Sequence, residues 1–431
     1  MRGTASERSG TPGRGRRHRP ISAPRINSAR LRERLTELSA IGRTAEGGVT
    51  RLSYRAEHAD AARVSARWMR EAGAEVGVDP WGNLFGIVPG STPGLPALAA
   101  GSHLDTVPNG GIFDGALGVV AAIEAAAALR EARAPLRHPL LLLAFAEEEG
   151  TSFGVGCLGS QGAAGRAPAL EALTDRGGRS AADAIRAFDP GVPRRTMPQA
   201  LAAYLELHIE QGPVLERRGA PLAAVDAIVG IVRISFVFRG EANHAGTTPM
   251  EARRDALWGA ADLVAAVREL ARGTKGRAVG TVGQCTVSPG ATNVIPGRAD
   301  VTVELRSADG RFLDSLCGEI VATAQACAGR FGLEVEHRNR WTDPPVPLDA
   351  RVREEITGAA QDRGWPIMSM SSWAGHDAKI LAAVAPAGMI FVPSAGGISH
   401  SPLERTAWED AARGADVLCG ALLRLDSWDG A

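Results

Sequence analysis

The sequence predicts an α/β fold: a mixed, mostly parallel sheet with helices on both faces, interrupted by a smaller inserted β-α-β-β-α-β domain. Three observations carry this. Strand and helix signals alternate from Leu95 to His208, the order that winds a parallel sheet between two helical layers. Residues 139–146 form a continuous apolar run, as a strand buried on both faces requires. Near Gly230 the character changes to a half-exposed alternation, Ile-Val-Arg-Ile-Ser-Phe-Val-Phe-Arg-Gly over 231–240, which suits a sheet covered on one face only.

In chain order, 28–38 and 56–72 read as helices. Residues 95–101 form an apolar strand running into Gly-Ser-His, 115–133 an Ala-rich helix, 139–146 the buried strand and 203–208 another short strand. Within the insertion, 231–240, 279–287, 297–306 and 333–337 are strands, and 252–272 and 310–329 are helices, an order that matches the split-βαβ sandwich. Pro344, Pro345 and Pro347 mark the return to the first domain. There, 351–364, 376–385 and 407–426 read as helices and 387–392 as a strand. The expected organisation is a tail over 1–25, a catalytic domain over 26–229 and 341–431, and an inserted domain over 230–340.

Composition narrows the function classes. Hydrophobic residues make up 45% of the 431 and charged residues 22%, an ordinary globular balance that excludes disorder throughout. No apolar run approaches the roughly 20 residues of a spanning helix, so no membrane partner is expected. Lys+Arg and Asp+Glu both number 48, without the basic excess of a nucleic-acid binder. The first twenty residues hold six Arg against one Glu and little to bury, the signature of a disordered tail. Arg16-Arg17 lacks the apolar stretch that an export signal needs. Five widely spaced cysteines without a C-x-x-C pair point to free thiols in a reducing cytoplasm.

Five of nine histidines stand in Gly-rich, polar contexts: His103, His208, His244, His376 and His400. His103 directly follows an apolar strand, at the end where open α/β sheets place ligands. Asp105, two residues on, suits the carboxylate that takes a ligating imidazole's other N–H. Asp114 begins the Ala-rich helix and fits either a helix cap or a metal ligand. Glu147-Glu148-Glu149 close the buried strand. Three adjacent carboxylates repel one another, and a divalent cation relieves that. One could ligate while its neighbour moves a proton. With His208 and His400 after two further strands, three imidazoles and two carboxylates fit a pair of borderline cations with one carboxylate shared, a recurring hydrolytic device.

The segments GSHLDTVPNGGIFDG, AEEEG, ELHIEQGPVLE, GEANHAGTTPM, TNVIPGRADVTVELR, AGHDA and GISHSP follow in order between residues 28 and 428. Together they closely resemble the hydantoinase/carbamoylase amidase group of the M20 metallopeptidase superfamily: N-carbamoyl-L-amino-acid hydrolases, β-ureidopropionases and allantoate amidohydrolases. The resemblance implies a zinc-exopeptidase-like catalytic domain and a ferredoxin-like lid that also dimerises. It implies two divalent ions per subunit (Zn2+, or Mn2+, Co2+ or Ni2+), one held by His103 and His208, the other by Glu149 and His400, with Asp114 bridging. It further implies Glu148 as general base, and His244 reaching the partner subunit's active site to polarise the scissile carbonyl. Asn293 and Arg306 would take the substrate carboxylate, with Gln211 and His376 lining the pocket. Arg306 read alone is equally a surface residue, and His376 equally a turn that caps a helix. The implied reaction releases an amino acid, ammonia and carbon dioxide from an N-carbamoyl-L-amino acid or related ureido acid. Allantoate hydrolysis is the nearest alternative, an M20 aminoacylase or dipeptidase a more distant one, and a non-catalytic metal-binding protein the bland one. Two departures bear on the substrate: Thr151-Ser152 stand where the group commonly has Ser-Arg, and Trp373 where a small residue is usual.

Overall fold

A computed structural model describes residues 23–428. The expected tail falls mostly outside them, but Arg25 already pairs with Asp416 at 2.9 Å and Ile26 is buried. The strands, in chain order, are Glu75–Val78 (β1), Leu84–Val88 (β2), Ala97–His103 (β3), Leu140–Phe145 (β4), Leu201–Ile209 (β5), Ala223–Ile228 (β6), Gly230–Arg239 (β7), Val279–Ser288 (β8), Arg298–Ser307 (β9), Glu334–Asp343 (β10), Val346–Pro347 (β11), Met368–Ser372 (β12) and Ala387–Val392 (β13).

Nine strands build one mixed sheet in the order β1-β2-β4-β3-β5-β13-β6-β11, with β12 beside β6. Its centre, β4-β3-β5-β13, is parallel, and the flanks are largely antiparallel. The central strands β3, β4 and β13 are buried along their whole length, which explains their unbroken apolar sequences. All four central strands point their carboxyl ends the same way, and the candidate site side chains gather there. Helix Ala116–Glu131 packs on this centre and is buried on nearly every side. Its Glu124, fully buried, accepts Arg30 Nη2 at 2.7 Å and Arg34 Nη1 at 3.2 Å from helix Ser28–Ala40. Removing one partner from such a buried set costs about 3–5 kcal/mol, so this contact fixes where the amino-terminal helix lies.

The smaller sheet has the order β10-β7-β9-β8 and is antiparallel throughout. Helices Ala256–Gly273 and Gly310–Arg330 cover one face, capped by Asp255 and Asp309. This is the split-βαβ arrangement with a core of its own: Phe236, Phe238, Leu263, Val303, Leu313 and Ile320 belong to a buried cluster separate from those under the large sheet. The chain crosses between the sheets at Val229–Gly230 and again at Asp343–Pro345. Lys379 reaches both crossings, donating to Val229 O at 2.9 Å and to Asp343 Oδ2 at 2.5 Å.

Candidate metal centre

Each candidate ligand is delivered by the end of a central strand or the loop after it. His103 ends β3 and is 1% exposed. Its Nδ1 lies 3.0 Å from the main-chain carbonyl of Asp105. The proton therefore sits on Nδ1, and the Nε2 lone pair faces the cluster. The acceptor is not the Asp105 carboxylate, as the sequence suggested. That carboxylate takes the N–H groups of Glu148 and Glu149, at 3.1 and 3.2 Å, and so shapes the loop after β4.

Asp114 sits at the hub. The helix that follows is capped at Gly115, without a side-chain hydrogen bond, so Asp114 is not its cap. Asp114 Oδ1 is 3.4 Å from His103 Nε2 and 3.1 Å from His208 Nε2. Its Oδ2 is 3.4 Å from His400 Nε2, and accepts Gln211 Nε2 at 2.8 Å and Ser399 Oγ at 2.9 Å. His208, near the end of β5, has Nδ1 2.9 Å from Ile209 O, which again directs Nε2 inward. His400 follows β13, in a left-handed conformation with φ 54°.

The three glutamates divide. Glu147 turns away and accepts the N–H groups of Ser152 and Phe153 at 2.8 and 2.7 Å, closing its own loop. Glu148 Oε2 lies 3.8 Å from His103 Nε2, and its Oε1 accepts the Cys157 thiol at 3.6 Å. Glu149 Oε2 is 3.4 Å from His400 Nε2, while its buried Oε1 has no hydrogen-bond partner. Four candidate ligand groups occur among the described residues; two of them, His103–Asp114–His208 and Asp114–Glu149–His400, are joined through Asp114, and the others are His103–Glu148–Glu149 and Glu206–His208–His376.

The electrostatics suit cations. Burial, reinforced by Glu149, pushes the Glu148 carboxyl well above its usual range. Burial and Asp114 bring Glu149 to about 7. Burial opposes charge on Asp114, but its contacts with the His103, His208 and His400 imidazoles outweigh it and hold Asp114 well below the usual range. The Asp114 contact lifts His400 to about 9. Protons and divalent ions compete for these lone pairs, and the orphaned Glu149 oxygen is an acceptor that a cation would satisfy. The donor set therefore fits a pair of ions.

The remaining candidates are less concentrated. Gln211 touches the cluster directly, through Asp114 and His400. His376 lies beneath it, with its ring 4.6 Å from that of His208 and Nε2 2.8 Å from Ser372 Oγ. Burial and His208 hold it well below its usual range, hence neutral. Arg306 meets Glu304 at 2.7 Å and donates Nη1 to Trp373 O at 2.8 Å, across the gap between the two sheets. His244 and Asn293 lie near each other on the smaller domain, where residue 244 bridges to 294. Among the described residues, no hydrogen bond or ion pair joins either of them to the ligand cluster of its own chain. Cys157, Ser399 and Glu404 escaped sequence reasoning. Of these, Glu404 alone carried a signal, an acidic residue four positions after His400.

Comparison with known proteins agrees. Residues 99–424 match the model of Peptidase family M20/M25/M40. The chain is 41% identical over 408 residues to the N-carbamoyl-L-amino acid amidohydrolase of Geobacillus stearothermophilus, covering 93% of this chain and 99% of that one. It is 35% identical to the allantoate amidohydrolase of Escherichia coli, covering 92% and 97%. A hydantoinase/carbamoylase family amidase from Burkholderia ambifaria superposes with a TM-score of 0.88 at 33% identity, over 94% of this chain and 99% of its own. The chain therefore belongs to peptidase family M20/M25/M40, within the hydantoinase/carbamoylase amidases.

Proposed function

We propose that the protein is a two-metal amidohydrolase that cleaves the carbamoyl C–N bond of N-carbamoyl-L-amino acids or related ureido acids. One observation carries this: a single carboxylate, Asp114, meets three imidazoles from three separate segments, with Glu148 alongside. His103 and His208 would hold one ion and Glu149 and His400 the other, with Asp114 placed between the two sets. Zn2+, Mn2+, Co2+ and Ni2+ all suit these ligands. Such a pair of ions supplies acidified water and a polarised carbonyl.

The chain's own residues do the rest. Glu148 accepts the proton of the attacking water and returns it to the leaving nitrogen. Gly246 N–H and Thr247 N–H both donate to His244 Nδ1, at 3.0 and 3.2 Å. This fixes the tautomer with the proton on Nε2, ready to donate to a developing oxyanion. Arg306 and Asn293 take the substrate carboxylate, and Gln211 and His376 border the pocket. Residues 230–340 act as lid and dimer surface, turning on the crossings at Gly230 and Pro344. The exposed edge strand β8, with Val279 uncovered, and the exposed Leu257 and Val264 on helix Ala256–Gly273 support a homodimer in which His244 serves the partner's site. A cytoplasmic location accords with five unpaired cysteines.

Ammonia release over a panel of ureido acids, allantoate included, tests the substrate class, with metal content measured on the same sample. Glu148→Gln is expected to keep both ions and lower turnover about 100-fold or more. Unchanged turnover would refute its role.

A further inference from the structure

We propose that Glu404 is the positioning residue that holds Asp114 in its bridging place, and that it thereby determines whether both ions are retained. This rests on the two-ion reading above. Glu404 is 4% exposed. Its Oε1 accepts the main-chain N–H groups of Phe113 and Asp114, at 2.9 and 3.2 Å. Its Oε2 lies 2.8 Å from Ser399 Oγ, and the same hydroxyl, which has a single proton to give, lies 2.9 Å from Asp114 Oδ2, so it links the two carboxyl groups. One carboxylate thus grips Asp114 at the backbone and, through Ser399, at the oxygen that faces His400. It also ties the segment carrying Asp114 to the one carrying His400, which must meet for the Asp114–Glu149–His400 set to exist.

Glu404 has no arginine or lysine ion-pair partner among the described residues. A buried carboxylate without a counter-ion is costly, so its use here is orientation. Gly111 belongs to the same device, because a Cβ at that position would fall on the Glu404 carboxylate.

Outer-layer partners of this kind change metal affinity about 10- to 100-fold when removed. The test is a calorimetric titration of the chelator-treated full chain with Mn2+, repeated with Zn2+, together with the metal-induced rise in Tm; circular dichroism reports the fold. Glu404→Leu strands two buried N–H groups and is expected to weaken binding of at least one ion by tenfold or more. Glu404→Gln keeps an acceptor for both N–H groups and an amide donor for Ser399, and is expected to bind as wild type does. Gly111→Ala displaces Glu404 with every ligand intact, and is expected to reproduce the loss. If Glu404→Leu does not fold, Gly111→Ala and Ser399→Ala carry the test. Wild-type affinity for two ions in the folded variants would overturn the role of Glu404 alone. A wild-type protein that takes up neither metal would overturn the two-ion reading and this proposal with it.

Discussion

Replacing Gly115 by Ala joins backbone strain to ligand geometry. Gly115 has φ 63° and ψ −51°. It is the centre of a tight turn in which Ala116 N–H donates to Asp114 O at 2.6 Å. An L side chain held in so sparsely populated a region costs about 1–3 kcal/mol. The new Cβ would also fall on the His103 ring. That ring has no room to swing, because it is buried and its Nδ1 is fixed on Asp105 O. Overpacking at such a site adds about 1–3 kcal/mol. The sum, about 2–6 kcal/mol, is large against a total stability of about 5–15 kcal/mol, and relief of the clash moves His103 off its Nε2 axis. Urea unfolding of the chelator-treated protein, read from the midpoint at constant m, measures the first effect. Metal titration measures the second. A variant within about 0.5 kcal/mol of wild type, the ordinary range for a surface substitution, with unaltered metal affinity would refute the reasoning.

Arg306→Lys keeps the charge but loses the planar fork. Losing a charge-assisted bond of about 1.5–3 kcal/mol raises KM for a ureido acid about 10- to 100-fold with kcat little changed; steady-state kinetics with an unchanged KM would remove Arg306 from the pocket. His244→Ala and Glu148→Gln are each expected to be nearly inactive, yet mixing the two under subunit exchange restores activity, because a heterodimer assembles one intact site; no recovery in exchanged dimers argues against a shared site. His58, fully buried, accepts Tyr54 N–H at 3.1 Å, and burial with the nearby Arg51 pushes its imidazole from 6.5 down to about 3. The unfolded chain then binds that proton first, so this stability is present above pH 6.5 and drains away as pH falls toward 3, with a ceiling of about 5 kcal/mol at 1.36 kcal/mol per pKa unit. His58→Asn keeps an acceptor that does not titrate and flattens the acid limb of stability against pH; an unchanged limb counts against a neutral His58.

The central strands and their candidate ligands were legible because two signals coincide there. An apolar run too unbroken for a surface strand stops at Gly-Ser-His or at three glutamates, and such ends of a parallel sheet are where polar groups can gather. The flanking strands were not legible. β1 and β2 are short, and β12 reads Met-Ser-Met-Ser-Ser, with only two apolar residues to mark it. The short helices Leu158–Ala163, Ala181–Ala187 and Val214–Arg218 lack a full apolar face. The helix expected over 376–385 stops at Leu381, ahead of Pro386, and the one expected from 252 begins only at Ala256, after its Asp255 cap. Within the site, pattern could nominate Glu147, Glu148 and Glu149 together, but only the hydrogen bonds to Ser152 and Phe153 show that Glu147 serves its own loop. Asp105 was given the wrong partner, and Glu404 was missed, for a related reason. Their partners are backbone N–H groups of distant segments, and every residue type except proline offers one.

Anomalous X-ray scattering from crystals grown with Mn2+ addresses the shared-carboxylate cage most directly. The account predicts two peaks in each subunit, about 3.5–4 Å apart, one against His103 and His208, the other against Glu149 and His400, with Asp114 touching both. A single peak, or two with Asp114 bound to neither, would contradict it.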